Sequence, residues 1–171
     1  MHDRPPVWTR LQRRLHWTVA ALVLGQALLG WPMAAAVERL ERLERVAATG
    51  ATPGLLDFLV TTAHTGSGIA IGLLVAWRLK LRAERRSVAH GEVRRAWPAR
   101  ALQATLYASL VLMVVSGALH WYAGVAWAAS WHGAGKWLLL GALVLHLGGA
   151  LRHAVAGDGI FQSMSGRPGR R

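Results

Sequence analysis

Long apolar runs separated by polar stretches dominate this chain. Four runs stand out, at residues 15–37, 58–79, 101–122 and 132–151. Each approaches the ~20 residues that a helix needs to cross about 30 Å of hydrocarbon, so each is predicted to span a membrane. Together they take up about half of the 171 residues, leaving too little chain for a separate soluble domain. The predicted fold is all-α: an integral membrane four-helix bundle over residues 1–162, followed by a Gly- and Arg-rich tail at 163–171 whose composition predicts disorder.

The connections differ in character. After the first run come Glu38, Arg39, Leu40, Glu41, Arg42, Leu43, Glu44, Arg45 and Val46. Leu40, Leu43 and Val46 share one helical face, and Glu38–Arg42 and Glu41–Arg45 are favourable i,i+4 pairs. A short amphipathic helix lying on the membrane surface is expected there, with a turn at 49–54. The middle connection is basic and ends near Pro98, whereas residues 123–131 carry no charge.

The net charge of +12 follows this division. Arg4, Arg10, Arg13 and Arg14 precede the first run. Arg78, Lys80, Arg82, Arg85, Arg86, Arg94, Arg95 and Arg100 fill or flank the middle connection, and Arg152, Arg167, Arg170 and Arg171 follow the fourth run. Positive charge gathers on the cytoplasmic side of membrane proteins, which predicts an N-in/C-in topology with the middle connection also cytoplasmic, and anionic lipid as partner. No aromatic-interleaved basic face accompanies the charge, so no nucleic-acid partner is expected. The tryptophans agree: Trp8, Trp17, Trp77 and Trp97 fall at the expected inner ends, and Trp31, Trp121, Trp127, Trp131 and Trp137 at the outer ends. Arg-rich residues before an apolar run, with Ala34, Ala35 and Ala36 beyond it, also have the outline of a secretory signal. Cleavage there would break the charge pattern, so the first run is expected to remain a span.

Candidate chemistry rests on histidine. The chain has no cysteine, which excludes thiolate-ligated iron and covalently attached c-type haem. Histidine inside a span is costly unless paired or liganded. His132 and His146 lie fourteen residues apart in the fourth run. On a helix that is close to four turns, with both rings on one face and roughly 21 Å between them. His16 opens the first run and His64 lies early in the second. With alternating span directions, His16 reaches the depth of His146 and His64 that of His132. Two such pairs suit two non-covalent haem b groups, one per leaflet, because two axial imidazoles close the iron to other molecules and favour one-electron transfer.

His153 competes with His146, but pairing His16 with His153 would separate the two sites by about 31 Å, too far for fast electron tunnelling. His120 competes for the outer pair. His2 and His90 lie in polar segments and are expected to be bystanders. Gly66 and Gly68, beside His64, either allow close helix packing or leave room for a porphyrin face. A His-lined metal-ion transporter is the main alternative from another class, although no central Asp or Glu supports a hard divalent ion; a purely structural anchor is the other. No hydrolase motif is present, and no catalytic residue is assigned.

The stretches Arg10-Leu11-Gln12-Arg13-Arg14-Leu15-His16-Trp17, His64-Thr65-Gly66-Ser67-Gly68, and Trp131-His132 through Leu145-His146 to His153 and Asp158-Gly159-Ile160-Phe161 resemble the bacterial cytochrome b561 family. The resemblance implies a small dihaem b-type membrane cytochrome with His16, His64, His132 and His146 as axial ligands. It also implies electron exchange between ubiquinone and a periplasmic one-electron partner. In some relatives that partner is superoxide; related subunits instead link a larger redox enzyme, such as a hydrogenase, to quinone. Some relatives carry histidines where this chain has Arg100 and Gln103, and a His-His pair where it has His153-Ala154. His153 is the expected proton-handling group near quinone. Haem propionates would want cationic neighbours, for which Arg10, Arg14 and Arg78 are candidates inside and Lys136 outside.

Overall fold

A computed structural model of the chain describes residues 8–45, 54–88 and 97–165. Four long helices form it: α1 (Arg10–Arg45), α2 (Leu55–Val88), α3 (Trp97–Ala123) and α4 (Ala126–Ala156). A short α5 (Ile160–Ser165) follows, and no strand occurs among the described residues. All four long helices are apolar and long enough to cross a membrane. Their outer surface carries the large apolar side chains. Trp31 is 89% exposed, Val155 82% and Leu28 79%, which is what lipid-facing positions require.

The contacts give an up-down-up-down order. Val19 and Val23 of α1 cluster with Ile71 and Val75 of α2. Toward the far end of α1, Arg39 reaches Asp57 near the start of α2, so the two helices run antiparallel. Gly72 of α2 lies against Val114 of α3, and Gly135 of α4 against Leu112 and Met113 of α3. These glycines are close-approach points, the packing that small residues provide where lipid cannot drive helices together. α1 packs on α2, α2 on α3, and α3 on α4, whereas α4 is not closely packed against α1 or α2.

The helices overrun the apolar runs, because hydropathy marks the hydrocarbon-crossing part while Arg, Glu, Leu and Ala carry helical structure into the flanks. Two boundaries differ from expectation. Residues 38–45 continue α1 without a break, so the expected separate surface helix is the last two turns of the first one. The Glu38–Arg42 pair forms at 2.9 Å, whereas the Arg45 side chain of the Glu41–Arg45 pair, Val46 and the turn at 49–53 lie outside what is described. The uncharged third connection is also far shorter than 123–131. Only Gly124 and Val125 separate α3 from α4. Gly124 has φ +66°, a left-handed conformation that reverses the chain and that residues with a Cβ adopt at a cost. The following Ala126 to Trp131 contain no breaker, so His132 lies nearly two turns inside α4 rather than at its start. α5 takes up the first residues of the expected tail; residues 166–171 lie outside the described ones.

At the α1–α2 end, Arg39 Nε and Nη2 both donate to Asp57 Oδ1, at 2.8 and 2.5 Å. The Asp57 side chain is only 11% exposed. Removing the guanidinium strands a shielded carboxylate, which costs more than losing an exposed pair. Arg39→Ala is therefore expected to lower the thermal unfolding midpoint in detergent more than Arg42→Ala, which breaks only the exposed Glu38 pair. Equal midpoints for the two variants would refute that ranking.

Candidate functional site: two histidine pairs

The up-down order carries the four span histidines into two couples. His16 of α1 meets His146 of α4 with ring centroids 6.1 Å apart and planes at 71°. His64 of α2 meets His132 of α4 at 6.3 Å and 67°. Both couples bridge the spaces that α4 leaves against α1 and α2. Each separation has a direct chemical meaning. An imidazole nitrogen lies ~2 Å from a metal it ligates and its ring centre about 1 Å beyond, so two rings on opposite sides of one metal stand about 6 Å apart.

Supporting contacts fix one ring closely. His132 Nδ1 lies 2.9 Å from the carbonyl of Met113, an acceptor only, so Nδ1 carries the proton and Nε2 is left with its lone pair. Ser116 Oγ stands 3.3 Å from the same nitrogen while donating to Leu112 O. Gly117 gives the ring its room: a Cβ there would lie 3.0 Å from His132 Cε1. On the opposite helix, Gln26 Nε2 donates to His64 O at 3.0 Å, while His64 Nδ1 is buried and unpartnered. These features fit an axially ligated porphyrin: paired imidazoles at ligation spacing, a fixed tautomer and an unpacked space between helices. No cluster of three or more His, Asp or Glu suited to a bare metal ion occurs among the described residues.

The other candidates separate by position. Arg78 of α2 lies near enough to act electrostatically on both His16 and His146, and Lys136 acts on His132 while its ammonium stands 5.1 Å from the Trp137 ring centroid. Arg10 and Arg14 are exposed on the first turns of α1. A Cβ on Gly66 would meet open space, whereas one on Gly68 would lie 3.1 Å from Gln26 Nε2. His120 joins neither couple; it neighbours His132 electrostatically, and its Nδ1 is buried without a partner. His2 and His90 lie outside the described residues.

His153 is engaged elsewhere. Its Nδ1 stands 2.5 Å from Asp158 Oδ2, and Asp158 Oδ1 accepts the backbone N–H of Ile160 at the start of α5. α5 is also tied to α1, since Trp17 Nε1 donates to Met164 O at 3.2 Å. The His153 hydrogen bond, seconded by the Ile160 amide, holds the Asp158 carboxyl below its ordinary range. A depressed carboxyl stabilises the fold above its unfolded pKa, ~3.9, and loses that contribution as pH falls through the folded value. Protection of the Ile160 amide, its exchange relative to the intrinsic rate at each pH, is therefore expected to be high near neutrality and to fall in acid. Asp158→Ala should remove that protection throughout, and wild-type protection independent of the carboxyl titration would contradict the cap.

Comparison with known proteins decides the family. The family model described as prokaryotic cytochrome b561 matches residues 7–167. The chain belongs to the prokaryotic cytochrome b561 family. It is a multi-pass membrane cytochrome that carries haem b and transfers electrons. No curated protein and no solved structure matches the chain. Residue type alone assigns no role to Gln26 or Met113, and Asp158 stands in the sequence only as part of a matching stretch. Gln26 had a signal, being the lone amide inside the first apolar run; the Met113 carbonyl had none, because a main-chain acceptor is invisible in residue type.

Proposed function

We propose that this cytochrome moves single electrons across the bacterial inner membrane through two haem b groups. The exchange runs between the quinone pool and a periplasmic one-electron partner. One observation carries the reading: two histidine couples at ligation spacing, 6.1 and 6.3 Å between ring centroids, set at two depths of one bundle. Haem, when bound, would supply a one-electron iron couple.

The chain's own residues do the rest. His16 and His146 would hold the inner group, and His64 and His132 the outer one. Arg78 places positive charge beside the inner pair and Lys136 beside the outer pair, suited to propionates or an anionic reactant. His153, oriented by Asp158, stands at the inner end as the group that passes protons to quinone. The basic N-terminal flank and middle connection argue for cytoplasmic placement of that end.

Superoxide is the proposed donor and ubiquinone the acceptor. Two superoxide anions lose one electron each and leave as dioxygen, while one ubiquinone takes up both electrons and two protons to become the quinol. The two-residue link between α3 and α4 offers little docking surface at the outer end, which favours independent action over a subunit role in a larger enzyme. Purified protein supplied with superoxide and a short-chain ubiquinone is expected to form quinol in a two-to-one ratio. Activity that appears only with an added partner protein would favour the subunit role, and uptake of divalent ions by haem-free proteoliposomes would favour a transporter.

A further inference from the structure

We infer that Gln26 is a positioning residue for the outer haem, acting through His64; this rests on the axial role proposed for His64. Four observations converge. His64 Nδ1 is buried without a hydrogen-bond partner. Gln26 Oε1 is likewise buried without one. The Gln26 amide is already anchored at this histidine, because Nε2 donates to His64 O at 3.0 Å. Gly68, one turn beyond His64, leaves space that the amide occupies, since a Cβ there would lie 3.1 Å from Gln26 Nε2.

The orientation of the amide is fixed by chemistry. His64 O accepts only, so the NH₂ group must face it and Oε1 must lie on the other side. An imidazole that ligates iron through Nε2 carries its proton on Nδ1 and needs an acceptor for it. Neighbouring Ser67 gives its hydroxyl proton to Ala63 O at 2.6 Å and sits one turn further along the same helix. Gln26 Oε1 is a buried acceptor without a partner, on the side chain that already touches His64. With the inferred bond, the outer pair has matched support: the observed Met113 main-chain carbonyl at His132, and the Gln26 side-chain carbonyl at His64. Only the second can be altered by a side-chain substitution.

The readout is the midpoint potential of each haem in the purified, haem-loaded protein, titrated by visible absorbance. An acceptor on Nδ1–H makes the ring a stronger donor to ferric iron and lowers the potential. Gln26→Leu is expected to leave haem content at the wild-type level and raise the midpoint of the haem that His64→Ala removes. A tenfold shift toward the ferrous form, 59 mV for one electron, is the expected size, and the other haem should not move. Gln26→Glu, which keeps an oxygen acceptor and adds negative charge, should hold that midpoint at or below the wild-type value, and Gly68→Val, which crowds the amide, should copy Gln26→Leu. Unchanged midpoints in Gln26→Leu, or equal haem loss in the Leu and Glu variants, would overturn the assignment. If Gln26→Leu does not fold, Gln26→Asn, too short to reach, is scored by the same criteria. Absence of haem from the wild-type protein would overturn the proposed function along with this inference; unchanged variant midpoints overturn this inference alone.

Discussion

His146→Ala is expected to remove the inner haem completely and leave the outer one, halving haem per polypeptide. His153→Ala should leave both. The contrast follows from what each ring already touches. His146 faces His16 at 6.1 Å between centroids. His153, seven residues on and close to the same helical face, is turned to Asp158 at 2.5 Å. On the proposed assignment, losing the His146 ring would leave His16 alone to hold the inner haem, which would then wash out during purification. A haem assay against protein concentration gives the ratio. Loss of a haem from His153→Ala, with His146→Ala intact, would reverse the pairing.

The second large effect is expected at a residue that ligates nothing. Gly117→Leu should empty the outer site while the His16–His146 site stays filled. A Cβ at position 117 would stand 3.0 Å from His132 Cε1 and 3.1 Å from Nδ1, so a branched side chain must displace the ring. Displacement also breaks the 2.9 Å bond from Nδ1 to Met113 O that sets the tautomer. Losing orientation of this kind costs ~10–100-fold in metal affinity. Gly30→Ala is the control, because a Cβ there meets no neighbouring atom and the position is given no haem role, so it should be silent. Haem retention after size-exclusion chromatography separates the two; full retention in Gly117→Leu would show that His132 does not need its present position.

Much of this site was legible because membranes make histidine expensive. A ring in hydrocarbon must be paired or liganded, so four of them at two depths already implied the couples that the bundle forms. The fourteen-residue spacing of His132 and His146 fixed both depths on one helix, and alternating span direction supplied the partners. Boundaries were less legible. Hydropathy could not show that α1 runs on to Arg45, since charged residues that leave the membrane are still good helix formers. The missing charge at 123–131 looked like a loop, yet Gly124 alone turns the chain. Least legible were contacts between helices. Gln26 and His64 are 38 positions apart, and Gly117 and His132 meet only after α3 and α4 pack; residue type names such groups but not their neighbours.

The central claim is that each histidine couple holds one haem. Its most direct test is the visible spectrum of the purified wild-type protein, with haem measured per polypeptide. Two low-spin b-type haems per chain are the expected result. A folded protein that takes up no haem, or that carries high-spin haem at either site, would contradict it.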